Sequence, residues 1–367
     1  MVRDFAEKEL EPIAAEIDET ATFPAESVRK AAEIGLMGIG YPEKYDGSGG
    51  GAIEQVIAFE ELSRVCAATA VVIIASNELA GYPIYVHSNE AQRQRYLVPL
   101  LRGEKLGAFG LTEAGAGSDV ASMVTTAKRE NGGYILNGNK LFITNGAEAD
   151  IIVTFATVDR SQGYRGVTAF VVENGTPGFS VGKHERKLGI RGSSTAELVF
   201  EDCFIPEGNR LGDEGRGFRI ALESIDSSRI GIAAQAVGIA QGAFDKSLAY
   251  AKERRQFGEP IASFQAIQWM LADMATQIDA ARLLTLQAAY FKDEGLQFVK
   301  EASMAKLYAA ETAMSVTTKA VQIHGGYGYT KDYPVERYFR DAKITEIYEG
   351  TSEMQRMTIA RQLLRDG

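Results

Sequence analysis

Between Leu106 and about Val199 the apolar residues of this chain alternate with polar ones, whereas on either side they recur every three or four positions. A helix repeats a face about every 3.6 residues and a strand every two, so the two periods in separate blocks predict helices flanking a sheet. In the first block, Phe5, Leu10, Ile13, Ala14 and Ile17 keep helical spacing directly after Met1 with no capping residue, as for a chain that starts inside a helix. Pro24 opens a second helix that Gly35 can close, and Gly47 to Gly51 form a flexible connection. Ile53 to Val65 is the next helix. Thr69 to Val86 is apolar on nearly every face, which predicts a helix packed on all sides. Its exceptions, Ser76, Asn77 and Glu78, either line a pocket or are satisfied by core hydrogen bonds.

In the alternating block, Tyr134–Leu136, Lys140–Thr144, Ile151–Ala156, Val167–Val172 and Ala196–Phe200 read as strands, with Asn137-Gly138 as a hairpin turn. After Gly215 the helical period returns over Phe218–Arg254, Phe264–Ala289 and Val299–Ile323, lengths that predict an antiparallel bundle. The expected fold class is α+β, mainly α, in three domains: helical over 1–105, β over 106–215, and a helical bundle over 216–367. A length of 367 residues with 45% hydrophobic content suits two or three domains.

A formal charge of −10 without a lysine-arginine run makes nucleic acid and anionic membranes poor partners. Cys66 and Cys203 are far apart and His87, His184 and His324 are scattered, so neither a disulfide framework nor a metal site is expected, and a reducing cytosol or matrix fits. No signal peptide opens the sequence, and the most apolar run, Ala67 to Ala75, is too short to span a membrane.

Four stretches carry candidate chemistry. In DAKITEIYEGTSE, residues 341–353, Glu349 is expected in a strand-to-loop context before a helix that Ser352 and Gln355 would open as a capping box. A helix N-terminus favours a phosphate or an ionised base, and the alternative is a solvated loop glutamate. FGLTEAGAGSD, residues 109–119, sets Gly110, Gly115 and Gly117 beside Thr112 and Ser118, so backbone N–H groups can approach a phosphate or a flavin edge, or simply form a turn. DSSR, residues 226–229, is either a helix boundary or a site. ERRQFG, residues 253–258, is either a solvated helix end or an anion-binding arginine with an aromatic platform.

Taken together with LFITNG (141–146) and QIHGGYGY (322–329), and with DSSRIGIAAQAVGIAQGAFD continuing to 245, these stretches resemble the acyl-CoA dehydrogenase family, of the short- to medium-chain type, from end to end. The resemblance implies an N-terminal helical domain, a barrel-like middle domain and a C-terminal four-helix bundle, with FAD held between them in a homotetramer built as a dimer of dimers. It assigns Phe109, Leu111, Thr112, Gly117, Ser118, Phe142 and Thr144 to the flavin, with Ser118 also facing the substrate. Arg254, Phe257, Gln265, Gln322, Gly325 and Gly326 resemble residues that bind a neighbouring subunit's FAD, and Thr351 and Glu353 complete the cofactor site. Asp226, Arg229, Tyr348 and Gly350 resemble acyl-CoA contacts. The departures are Ala114 where proline is common, Phe142 where tryptophan is common, and missing first helical turns.

The implied reaction is α-proton abstraction by Glu349 and β-hydride transfer to FAD, giving a trans-2-enoyl-CoA, with an electron-transferring flavoprotein as acceptor. Some family members carry the base at the position matched by Ser228, which cannot serve, so Glu349 is the expected base. The setting would be a bacterial cytoplasm or a mitochondrial matrix, in fatty acid β-oxidation or branched-chain amino acid degradation. An acyl-CoA oxidase and an enoyl-CoA reductase are rivals on the same fold, and an intact Glu349 argues against a non-catalytic acyl-CoA-binding module. Between Cys66 and Gln92 there is no Arg or Lys, and Val71, Val72, Ile73, Ile74 and Leu79 offer an apolar wall, so a short or medium acyl chain, straight or lightly branched, is expected rather than a dicarboxylic one.

Overall fold

Residues 2–20 run as one helical rod in the computed structural model, which describes residues 1–365; residues 366 and 367, the last of the span assigned to the third domain, lie outside the described residues. The rod ends in α1 (Ala14–Thr20), and Phe5, Leu10, Ala14 and Ile17 are buried as their spacing predicts. Helix α2 (Ala25–Glu33) follows Pro24 and stops before Gly35, whose φ of 78° needs a residue without a side chain. The two helices expected on either side of residues 66–68 are one bent element, α3 (Ala52–Ile74), which leaves helical geometry only at Cys66 (φ −145°, ψ 90°). A wider turn over Ala75–Gly81 joins it to α4 (Tyr82–His87). Ser76 Oγ accepts from Gly107 N at 3.0 Å, and Asn77 Nδ2 donates to the carbonyls of Met37 (2.9 Å) and Ile39 (3.1 Å). Two of the three polar exceptions are therefore satisfied core groups.

The middle block forms strands β1 (Gly107–Gly110), β2 (Thr126–Glu130), β3 (Gly133–Thr144), β4 (Ile151–Thr157), β5 (Val167–Glu173), β6 (Phe179–His184), β7 (Thr195–Pro206) and β8 (Arg210–Leu211). Their order is β6-β7-β3-β2-β4-β5-β8, with β1 parallel to β4, and a single pairing of Thr126 with Thr157 joins the two halves of the path. The strand pattern alone missed β1, β2, β6 and the two-residue β8. The hairpin is also displaced: the turn is Asn131-Gly132, between β2 and β3, and Asn137-Gly138 lies inside β3. There Asn137 exchanges hydrogen bonds with Asp202 of β7 (2.8 and 3.1 Å), the register shifts, and a Cβ on Gly138 would come within 2.6 Å of Thr125 Oγ1. Asn-Gly therefore serves a bulge at 137–138 and the turn at 131–132.

The C-terminal helices are α5 (Gly217–Glu253), α6 (Gln265–Asp293), α7 (Val299–His324) and α8 (Val335–Thr345), with α9 (Ser352–Arg365) packed on α7. DSSR is no helix boundary, because it lies in the unbroken α5. Gly238 and Gly242 let α3 press on α5: a Cβ there would meet Glu60 O at 2.3 Å and Arg64 O at 2.1 Å. Buried side chains of the rod, α3 and the bundle consequently form one core. A second cluster binds residues 96–101 and the start of α5 to one face of the sheet, and a third lies within the sheet. Among the described residues no helix is long and apolar enough to cross a membrane.

Candidate active site

Glu349 lies in a helix-to-helix turn, not after a strand. Val335, Tyr338, Ala342 and Thr345 make one buried stripe at helical spacing, which outweighs the β-branched residues that suggested extended chain. The last helix is also opened differently from the expected capping box. Thr351 is its cap, its Oγ1 accepting from Met354 N at 3.4 Å, while the Gln355 side chain turns back towards the preceding turn. Glu349 has a φ of 52° and Gly350 one of 91°. A left-handed glutamate costs about 1–3 kcal/mol and persists only where its surroundings hold it.

Those surroundings are four donors. Arg229 Nε (3.3 Å) and Gln355 Nε2 (3.2 Å) donate to the Glu349 carbonyl, and Lys306 Nζ and Gln355 Nε2, both at 2.7 Å, donate to that of Gly350. Ser228 Oγ, from α5, donates to Glu349 Oε2. Burial raises the Glu349 carboxyl to about 7, against the pull of Ser228, Lys306 and Arg229 towards the ionised form. Burial likewise lowers Lys306 to about 8. Tyr348 donates to Gln235 Oε1, and burial holds its phenol well above the ordinary range. A carboxylate that changes charge near neutrality at the wall of a cavity can take up or release a proton from a bound molecule.

That cavity, about 690 Å³, is lined by Glu349, Tyr348, Gly350 and Thr351 on one side. Leu111, Thr112, Gly117, Ser118, Phe142 and Thr144 line the other side, so most of the residues expected at flavin and substrate meet here. The loop 111–118 is pinned from behind by Glu113, which pairs with the fully buried Lys140 at 2.7 Å and accepts from Val124 N (2.6 Å) and Thr125 N (3.1 Å). The Phe109 side chain instead packs in the core, edge-on to Phe155 at 4.9 Å, and Glu353 is exposed outside the lining. Arg229 reaches the cavity, but its guanidinium is tied to Asp226 at 2.6 Å, and Asp226 does not line it.

Arg254, Gly325 and Gly326 gather around a second cavity of about 500 Å³, with the Arg254 guanidinium 5.7 Å from the centre of the Tyr327 ring. Phe257 is 96% exposed beside it in a left-handed conformation (φ 53°), and Gln265 and Gln322 are exposed too. Sequence reasoning missed Lys306, which with Gln355, expected only in a capping box, holds the Glu349 turn, and it missed Leu222 and Ile225, which line the first cavity. The spacing of Leu222, Ile225 and Arg229 on one face of α5 was the available signal.

The family model described as acyl-CoA dehydrogenase, N-terminal domain, matches residues 1–104, the middle-domain model residues 108–203 and the C-terminal-domain model residues 215–364. A short-chain specific acyl-CoA dehydrogenase of Clostridium acetobutylicum is 55% identical over 100% of this chain and 96% of its own length. An acryloyl-CoA reductase (NADH) of Anaerotignum propionicum is 53% identical, over 100% of this chain and 93% of its own. A chain from the structure of the electron transferring flavoprotein of Acidaminococcus fermentans superposes with a TM-score of 0.98 at 51% identity, over 99% of this chain and 96% of that one. Three domain models in order and full-length identity at this level show that the chain belongs to the acyl-CoA dehydrogenase family.

Proposed function

We propose that Glu349 is the base with which this FAD-dependent acyl-CoA dehydrogenase takes the α-proton of a short- or medium-chain acyl-CoA, straight or lightly branched, on the way to a trans-2-enoyl-CoA. The observation that carries the reading is a half-buried carboxylate at the cavity wall, raised by desolvation to about 7 and aimed by Ser228.

The residues present suit FAD. A Cβ on Gly117 would meet nothing within 4 Å, so this part of the loop is open to a flat ring, and the Thr112, Ser118 and Thr144 hydroxyls make no hydrogen bond among the described residues. Thr112, Ser118 and Thr144 would hold the ring's polar edge, with Leu111 and Phe142 against its faces. Bound FAD supplies the two-electron acceptor for the hydride that leaves the β-carbon. Glu349 receives the α-proton on its carboxylate, while the Glu349–Gly350 turn, fixed by Lys306, Arg229 and Gln355, keeps the base from swinging away. Leu222 and Ile225 add apolar side chains to the cavity lining, and desolvation of the carboxyl raises its affinity for a proton.

Arg254, Gly325 and Gly326 would complete the cofactor site of a neighbouring subunit, in a homotetramer whose electrons pass to an electron-transferring flavoprotein in a bacterial cytoplasm or a mitochondrial matrix. One second reading has an observation behind it, the 53% identity to an acryloyl-CoA reductase. In that direction the protonated Glu349 would deliver the α-proton. The test is anaerobic bleaching of the holoenzyme's flavin by butyryl-, isobutyryl-, 2-methylbutyryl-, hexanoyl-, octanoyl-, palmitoyl- and glutaryl-CoA. Fast bleaching by the short chains is expected, and a preference for palmitoyl- or glutaryl-CoA would refute the substrate assignment. Slow bleaching by every saturated thioester, with fast oxidation of the reduced enzyme by an enoyl-CoA, would favour the reductase. Rapid reoxidation by oxygen would favour an oxidase.

A further inference from the structure

Glu78 is the polar exception that core hydrogen bonding does not explain. It is 2% exposed, and its Oε2 has no hydrogen-bond partner. Lys292 Nζ, at the end of α6, is 3.9 Å from Oε1, an ion pair too long for a hydrogen bond. Lys292 is held there because the next residue, Asp293, caps α3, accepting from Ala52 N at 2.6 Å and Ile53 N at 3.1 Å. No cation stands in the sequence between Cys66 and Gln92, yet the fold brings one from α6.

The place of this pair is set by α5. Ser228, which donates to the base, lies on α5 three residues before Gly231, and a Cβ on Gly231 would be 2.0 Å from Glu78 Oε2 and 3.3 Å from Ile74 Cγ2. Gly231 is thus just under one helical turn (~5.4 Å) further along α5 than Ser228, and it packs against the Ala75–Gly81 turn behind the residues that line the cavity. That distance spans only a few carbon–carbon bonds.

We propose that Glu78 is a specificity-determining residue: it ends the acyl-binding space about one helical turn past Glu349 and masks Lys292 from the substrate. The assignment rests on the reading of Glu349 as the base beside the α-carbon. Burial raises the Glu78 carboxyl and lowers the Lys292 ammonium, because neither charge is solvated there. A short apolar acyl end stops short of both groups. A longer chain meets the Glu78–Gly231 contact, and a terminal carboxylate finds no free cation.

The test compares kcat/KM of wild-type and variant holoenzymes for butyryl-, octanoyl- and glutaryl-CoA. Glu78→Ala should raise the octanoyl-to-butyryl ratio by about 10-fold or more, the low end of what one methylene is worth in an apolar pocket, and should admit glutaryl-CoA through the unmasked Lys292. Glu78→Gln keeps the bulk and should keep the chain-length ratio. Glu78→Ala combined with Lys292→Met leaves no unpaired charge, which guards against a folding failure of the single variant, and should keep the octanoyl gain without accepting glutaryl-CoA. An unchanged ratio in a folded, FAD-loaded Ala variant overturns the end stop. Failure of glutaryl-CoA with Glu78→Ala, or its acceptance in the double variant, overturns the mask. A wild type reduced by none of the three would instead overturn the reading of Glu349, and the assignment with it.

Discussion

Replacing Ser228 by alanine removes the hydroxyl that donates to Glu349 Oε2 and leaves the fold of α5 otherwise unchanged. The hydroxyl has one proton and a second acceptor, the Ile225 carbonyl at 3.2 Å, so the bond to Glu349 strengthens when the carboxylate is charged. A hydrogen bond to an ionised group is worth about 1.5–3 kcal/mol, and each ~1.4 kcal/mol moves a titration by one unit, so Ser228→Ala should raise Glu349 by about one to two units. From about 7 it would move to about 8–9. At pH 7 the ionised fraction would fall from about one half to between a tenth and a hundredth, slowing flavin reduction about 5- to 50-fold. The assay is anaerobic stopped-flow bleaching with butyryl-CoA from pH 6 to 10. The variant's rate should approach that of the wild type at the alkaline end. An unchanged midpoint, or an equal loss at every pH, would refute the claim that Ser228 acts by stabilising the charged base.

Glu349→Gln should keep FAD and acyl-CoA binding but lower flavin reduction by orders of magnitude, since the base acts in the transition state; near wild-type bleaching would move the base elsewhere. The same substitution tests linkage. Because the folded-state value is raised from 4.5 to about 7, the stability this group contributes is fully present below pH 4.5 and lost as pH rises through 7. Glu349→Gln should therefore gain on the wild type by up to about 3 kcal/mol at pH 8, measured by denaturant unfolding, with the gap closing towards pH 4.5. Arg254→Ala should lower FAD retention and tetramer integrity together in gel filtration, and unchanged FAD content would show that the guanidinium over Tyr327 serves only the subunit's own surface. Glu113→Gln leaves the fully buried Lys140 without a counter-charge and should cost about 3–5 kcal/mol of stability, with Glu113→Gln/Lys140→Met recovering part of it; equal losses in the two would show that the pair's charge is irrelevant.

Much of this protein can be read from the spacing of its apolar residues, because that spacing is what decides whether a segment buries one face as a helix or as a strand. The long helices α5, α6 and α7 and the strands β4 and β5 fall within a few residues of their expected spans. Motif order made the family legible, and with it Glu349 and the loop 111–118, which the fold brings to one cavity. The two Asn-Gly pairs show where local reading stops. Their chemistry is the same, and only the pairing of β3 with β7 makes one a bulge and the other a turn. The stretch before Glu349 was misread as extended because its β-branched residues are also compatible with a helix whose other face is buried. The state of the base was least legible of all. Ser228 is 121 residues from Glu349 in sequence and Lys306 is 44 from Gly350, and Lys292 reaches Glu78 from a different helix. Spacing along the chain determines which elements form; the proton affinity of a buried carboxylate depends on which charges and dipoles the packing of those elements brings within a few ångströms in a medium of low polarity, and only the tertiary structure decides that.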